Sequence, residues 1–335
     1  MKRAVTVLLG VFIFFCSIPV FAQESAPDSY HPKWIGWFRA GFDYDLADEA
    51  LNSFNNYSAR IIAKGRYDDR ISYLIMTEMI NQSSADSRPI FLQGWIDYEF
   101  SGKLSAKIGQ FKYPFGRDAY GPVMAWKFAH PSYISGNIAK KLGRSGGFYR
   151  DLGVQVTGTH KVSEKMAVFT KLMFMNGNGI NSTDENKDKD FVGQVGVKLP
   201  YNIEIGGSYF TGKDASWGGE SAFNGYFIMK YSRIHAQAEY SRAIYENNGY
   251  EDIEPAGFYA FATYELYPGV EAGARYERYE SNINNEDTDR DRVSFMAAYN
   301  FSEMTRIMLN YEIPGGTRND DADDFMSINF YVAFN

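Results

Sequence analysis

From about residue 34 to the end, the chain repeats one pattern: segments of about nine to eleven residues in which apolar and polar side chains alternate. Gly36, Phe38, Ala40, Phe42 and Tyr44 fall on one side of the first such segment, and Trp37, Arg39, Gly41 and Asp43 on the other. In "YSARIIAKGRY", Tyr57, Ala59, Ile61, Ala63, Gly65 and Tyr67 oppose Ser58, Arg60, Ile62, Lys64 and Arg66. "RIHAQAEYSR", "VEAGARYERY" and "RVSFMAAYNF" divide in the same way. Period two puts successive side chains on opposite faces of a strand, so the two faces meet different surroundings. The segment length is what a tilted strand needs to cross a bilayer, and no apolar run past residue 22 is long enough for a spanning helix.

About sixteen such segments begin near residues 34, 57, 70, 91, 104, 151, 166, 191, 202, 223, 233, 256, 270, 291, 305 and 325. Their connections come in two lengths. Tight ones are "DD" at 68–69, "SGK" at 101–103, "PYN" at 200–202, Ser232, "YPG" at 267–269 and "SEM" at 302–304. Between them lie long polar ones such as "DLADEALNSFNN", "NGNGINSTDENKDKD", "YENNGYEDIEP", "ESNINNEDTDRD" and "PGGTRNDDADD". The pattern predicts an all-β, antiparallel transmembrane barrel with short periplasmic turns and long extracellular loops. An even strand number closes the sheet and leaves no unpaired edge in lipid. A soluble sandwich also alternates, but it has no reason to sort its loops by length.

The N-terminus fits export. Lys2 and Arg3 precede an apolar run from Ala4 to Phe15, and "VFA" ends at Ala22, a secretory signal-peptide pattern. The expected organisation is a signal peptide over 1–22 and one barrel domain over 23–335. Cys16, the single cysteine, lies in the leader, so the mature chain has no disulfide or thiolate metal site. Without Lys2 and Arg3, 34 − 2 = 32 basic residues face 41 acidic ones, a formal charge of −9, which argues against a nucleic-acid partner. These features fit a Gram-negative envelope protein that meets outer-membrane lipid and lipopolysaccharide.

The third long connection, about 113–149, is far longer than its siblings, and long ordered loops are usually functional. It is rich in aromatics, Gly and Pro, and it gathers Lys112, Arg117, Lys127, Lys140, Lys141, Arg144 and Arg150 around a single acid, Asp118. "GQFKYPFGRD" (109–118), "YRDLGVQVTG" (149–158) and "MNGNG" (175–179) together resemble the motifs of the phosphate-selective porin O and P family. Lys112, Pro114, Phe115 and Gly116 match the motif before the loop, and Arg150, Asp151 and Gly153 the motif after it. The resemblance implies a homotrimeric sixteen-stranded porin whose third loop folds into the lumen and narrows it, with basic residues that bind phosphate-like anions. The final strand, "FMSINFYVAFN", resembles the aromatic-ended signature of outer-membrane barrels, with Asn335 after the last Phe.

Charge alone gives a consistent expectation. Cations on a wide, wet wall select weakly, because physiological salt screens beyond about 8 Å. On a loop that narrows the pore they act at shorter range and lower dielectric. The loop cations are therefore candidates for the anion-binding constriction, and Arg39, Arg60, Lys64, Arg66 and Lys107 for the pore wall. Asp43, Glu78, Asp97 and Glu99 share that wall, so a transverse field is equally compatible. The function expected is passive diffusion of small solutes with anion preference. A non-selective porin and a structural or adhesive barrel are the alternatives, and the solute remains open between anions and neutral molecules.

Other constellations carry less. His31, His130, His160 and His235 have no close spacing, and no Ser–His pair marks an outer-wall hydrolase, so neither enzymatic activity nor a cofactor is expected. Asp184 and Asp188, and Asp287 and Asp291, are spaced like the start of a calcium loop, but the glycine and glutamate such loops need are missing. They are weak metal candidates, read first as solvated loop charge. Aromatics make up 17% of the chain, more than a soluble core needs. Tyr44, Tyr57, Tyr67, Tyr98, Tyr209, Tyr231, Tyr240, Tyr264 and Tyr279 lie near segment ends, where interfacial girdles sit.

Overall fold

Period-two patterning is realised as a closed sheet. The computed structural model describes residues 31–46, 52–80, 88–144, 149–184, 187–214, 218–247, 249–317 and 324–334. The leader segment 1–22 lies outside the described residues. The strands are β1 (Lys33–Asp45), β2 (Ser53–Arg66), β3 (Ile71–Glu78), β4 (Ile90–Ser101), β5 (Leu104–Lys112), β6 (Arg150–Ser163), β7 (Met166–Met175) and β8 (Asp190–Leu199). They continue as β9 (Ile203–Asp214), β10 (Gly218–Tyr231), β11 (Ile234–Tyr245), β12 (Ala256–Tyr267), β13 (Val270–Glu280), β14 (Asp289–Ser302), β15 (Thr305–Gly315) and β16 (Phe325–Phe334). Each pairs antiparallel with its sequence neighbours, and β1 pairs with β16 to close the ring. That seam runs from Gly36 opposite Phe334 to Asp45 opposite Phe325. Gly36 leaves room there for the Phe334 ring, which a Cβ would approach to 2.0 Å and push aside.

Burial is inverted relative to a soluble protein. Ile108 and Phe174 are each 59% exposed on the outer face, while Glu277, Ser294 and Asn329 are fully buried on the inner one. Lipid outside explains the first set, and a filled, polar lumen explains the second. No helix among the described residues is long and apolar enough to cross a membrane, so the strands alone span it.

The structure departs from the sequence expectation at three places. β2 begins at Ser53 and β10 at Gly218, earlier than the alternation signals. Polar stretches there continue the backbone ladder, as where Glu220 pairs with Tyr245, although their side chains no longer need to alternate. β9 and β10 consequently pair out to Asp214 and Gly218, so the connection expected to be long is short in sequence. Lastly, Tyr57 and Tyr279 are not girdle residues. The β1–β2 register shifts at Arg39/Ala40, and this bulge turns the Tyr57 hydroxyl inward onto Asp43. Tyr279 shares the parity of Glu277 and is buried against Tyr133. Tyr67, Tyr209, Tyr231, Tyr240 and Tyr264 do face outward.

The core is the third long loop, L3 (residues 113–149), whose described residues, 113–144 and 149, pack inside the barrel. Ile134, Ile138 and Leu142 recur every four residues through a wide helical turn at Ser135–Ala139, so one face is apolar. That face joins Met173, Met175, Val192, Phe210, Tyr259 and Tyr279 of the wall, with Ala222 and Ala243 making room. Phe128 and Ala129 join a second cluster with Trp37, Met296, Met308 and Tyr331.

Candidate functional site: the space between the third loop and the wall

A segment without regular secondary structure must find partners for its buried backbone groups, and the wall supplies them. At Gly116 the chain takes φ +69°, which lets the amides of Arg117 and Asp118 both donate to the Glu239 carboxylate, at 2.9 and 3.1 Å. Asn224 and the Tyr259 hydroxyl donate to the same group at 2.8 and 2.6 Å. A Cβ on residue 116 would lie 2.6 Å from Glu239 Oε1. Gly116→Ala is therefore expected to weaken this anchor by about 1–3 kcal/mol through strain and lost hydrogen bonds. Open-channel current noise should rise in the variant, and a trace as quiet as the parent's would count against the anchor. Asp118, the loop's acid, staples the loop to itself, accepting from the Ser132 amide at 3.0 Å and hydroxyl at 2.9 Å.

The returning half of L3 is held by arginines. Arg306, Arg39, Arg275 and Arg292 donate to the carbonyls of Trp126, Ala129, His130 and Pro131 at 2.6, 2.9, 3.0 and 2.9 Å. Behind them is a buried charge network: Arg292 contacts Glu277 at 2.6 Å and Glu312 at 2.8 Å, and Arg275 contacts Glu277 at 3.0 Å. Glu277 also accepts from the Tyr133 amide at 2.6 Å, and His130 lies 3.0 Å from Glu312. Arg275 and Arg292 stack on Phe128 and Tyr133, at 4.6 and 4.5 Å from the ring centres. L3 is thus clamped to β13–β15 and β1.

What stays open lies on the other side of the loop. A cavity of about 290 Å³ between L3 and the β1–β6 wall is lined by Arg60, Lys107, Lys112 and Arg150. Trp37, Trp95, Phe111 and Tyr120 line it too. Arg60 Nε meets Glu78 at 2.7 Å, and Lys107 lies 3.7 Å from Asp97 and 4.2 Å above the Trp95 ring. Burial pushes the Tyr120 hydroxyl's pKa above its ordinary value, so it lines the cavity as a neutral phenol. Toward the short-turn rim, a cavity of about 530 Å³ carries Arg117, Lys161, Lys165, Lys198 and Lys230 against Glu164 and Glu204. A neighbouring one of about 370 Å³ carries Lys127, Lys230, Arg233 and Arg306 against Glu265 and Glu271. A small space beside Arg117 and Lys127 borders all three.

The predicted site residues therefore separate. Arg60, Lys107, Lys112 and Arg150 come together, although Lys112 is spent as a pin, donating to the carbonyls of Ala119 and Gly121 at 2.6 Å each. Arg117 is more open, 4.0 Å from Glu204, and Lys127 is paired with Glu271 at 2.7 Å. Lys140 and Lys141 are exposed at the end of the helical turn and line none of these cavities. The Arg144 side chain lies outside the described part of the structure. Arg39 does face inward, but it is buried under L3 and acts as a clamp rather than a water-facing cation. Lys64 is exposed near the short-turn rim, where Arg66 donates to the carbonyls of Asp68 and Asp69. Sequence reasoning missed Lys171, which stands 4.1 Å over the Tyr120 ring, and Lys198, Lys230, Arg275, Arg292 and Arg306. Their inward parity was the available signal.

The acidic loop residues pair with cations: Asp184 with Lys189, Asp188 with Lys213 at 3.7 Å, and Asp291 with Arg278 at 4.0 Å. Asp287 sits in the β13–β14 connection with φ +57°. Two of the motifs singled out above also meet. Asp151 accepts from the amides of Leu152, Gly177 and Gly179 at 2.6, 2.8 and 3.2 Å, so "RD" and "NGNG" form one unit at the rim.

A closed sixteen-stranded barrel with lipid outside, a clamped inner loop and basic, water-accessible space beside it defines a channel of the porin class. The chain belongs to the phosphate-selective porin O and P family, whose sequence profile matches residues 35–329. No curated protein matches it in sequence. Among solved structures it is similar to an anion-selective porin from Comamonas acidovorans (12% identity, TM-score 0.71, covering 90% of this chain and 99% of that one). It is also similar to OmpT, an outer membrane protein of Vibrio cholerae, in its trimer form (13%, 0.67, 92% and 100%). Salmonella typhi OmpF in complex with daunomycin is comparable (11%, 0.68, 93% and 100%). Family and fold place the chain in the outer membrane as a channel.

Proposed function

We propose that the protein is a passive, anion-preferring diffusion channel, made as a precursor with a cleaved leader and working as a homotrimer in a Gram-negative envelope. The observation that carries the preference is the cavity beside L3, lined by four basic residues and by no carboxylate. The cation majority in the space toward the periplasmic rim supports it. Such groups replace part of an anion's hydration while repelling cations at short range. The anion-selective Comamonas porin and the OmpT trimer are similar folds and agree with the reading. The channel lowers no chemical barrier, so no enzymatic activity is assigned to it. Phosphate-like anions and small neutral solutes both fall within its scope.

Reconstitution in planar bilayers under a KCl gradient tests this directly. The zero-current potential is expected to show chloride preference, and each insertion is expected to close in three equal steps. A cation-preferring potential overturns the charge reading, and single-step closure overturns the trimer.

A further inference from the structure

The cavity beside L3 is unlike the wider ones in one respect: its cations face aromatic rings. We infer that this constriction is a binding step for aromatic carboxylates, held more strongly than phosphate or an aliphatic acid of the same charge. The inference rests on the anion-preferring reading and narrows it to a solute class.

Donors come first. Arg60 gives only Nε to Glu78, and its terminal amino groups make no hydrogen bond among the described residues. Lys107 stands 3.7 Å from Asp97, longer than a hydrogen bond, so its ammonium also keeps donors for a ligand. Arg150, 3% exposed, and Lys112, tied to two carbonyls, add charge from behind.

The rest of the lining is largely apolar, Trp37, Trp95, Phe111 and Tyr120 with Ile62 and Met76, and the cations sit against it: Lys107 lies 4.2 Å over the Trp95 ring and Arg60 4.9 Å over Trp37. An inorganic phosphate in this space meets cations and rings side by side, so the oxygens that face the rings lose water without replacement. An aromatic carboxylate brings the same two kinds of group, a charged end and a ring, next to each other. Its two oxygens suit a guanidinium or ammonium, and its ring stacks offset or edge-on against indole and phenol. At about 290 Å³ the space is at the low end of ordinary small-molecule sites, which fits a one-ring solute.

The test uses the full-length protein in planar bilayers carrying a chloride current, with benzoate, cyclohexanecarboxylate, acetate or phosphate added at equal concentrations. Benzoate is expected to half-block at a concentration about tenfold below acetate or phosphate, with cyclohexanecarboxylate between. If benzoate blocks no better than acetate in a pore that still prefers chloride, the aromatic site is lost and the anion channel stands. A cation-preferring pore removes both. Trp95→Leu is expected to bring the benzoate-to-acetate ratio close to that of cyclohexanecarboxylate. Tyr120→Leu, on the loop and outside the strands, makes the same test should the first variant fail to insert. A ratio unmoved in the inserted variant overturns the assignment to this cavity.

Discussion

Glu277→Ala is expected to release the returning half of L3 from the wall while leaving the barrel closed. Glu277 is fully buried and serves three groups at once: it accepts from Arg292 and from the Tyr133 amide at 2.6 Å each, and the Arg275 guanidinium is ion-paired with it at 3.0 Å. Removing it leaves Glu312 as the only network carboxylate for two guanidiniums, themselves bonded to the carbonyls of His130 and Pro131. Truncating one partner of a buried ion pair costs about 3–5 kcal/mol, chiefly because the remaining charge is stranded. The loop can recover that cost by moving away and letting water in, whereas the strands cannot, since their ladder bonds have no substitute in lipid. Single-channel conductance should rise and flicker, and larger neutral sugars should enter in liposome swelling. Migration of the unheated protein on gels should stay that of a folded barrel. Unchanged conductance would show that the apolar face of Ile134, Ile138 and Leu142 holds L3 without the network.

The barrel was legible because lipid enforces the alternation: each outward residue on a spanning strand must be apolar, so one face reads cleanly even in a single sequence. It faded where that constraint ends. "GGESA" joins β10 above the bilayer, where water accepts either parity, and nothing in the letters separates strand from loop. A bulge is equally silent, because one extra residue changes the parity of Tyr57 without changing its type.

The site was legible only in part, for a different reason. Parity reveals that Arg39 faces inward, but not that L3 lies on top of it. Arginine suits both a wet pore wall and a buried clamp on carbonyls, and only the path of L3 distinguishes them. The loop cations misled similarly: Lys112 and Lys127 complete local bonds, and the accessible charge comes from wall residues such as Lys198 and Lys230. The spacing of Ile134, Ile138 and Leu142 was the one signal that L3 has an apolar face to bury.

Replacing both Arg60 and Lys107 with glutamate is expected to reverse the sign of the zero-current potential in a KCl gradient. Four basic side chains line the narrow cavity and two carboxylates pair with them, a net charge of +2 that the double substitution turns into −2. A round space of 290 Å³ is about 8 Å across, so a passing ion lies within the screening length, about 8 Å at physiological salt, of these charges. At about 4 Å and an effective dielectric near 20, each unit charge is worth about 4 kcal/mol, against about 1 kcal/mol in bulk water. The lysines of the wider periplasmic cavity act in more nearly bulk conditions and cannot hold the original sign. The glutamates would stand beside Glu78 and Asp97, and that repulsion could disturb the strands; the Arg60→Gln, Lys107→Gln pair avoids it. That pair brings the cavity to neutrality, so its potential should fall toward zero without crossing. If chloride preference survives the glutamate pair in a correctly inserted barrel, selectivity resides with Lys198, Lys230 and their neighbours at the rim. The cavity beside L3 would then be only a passage.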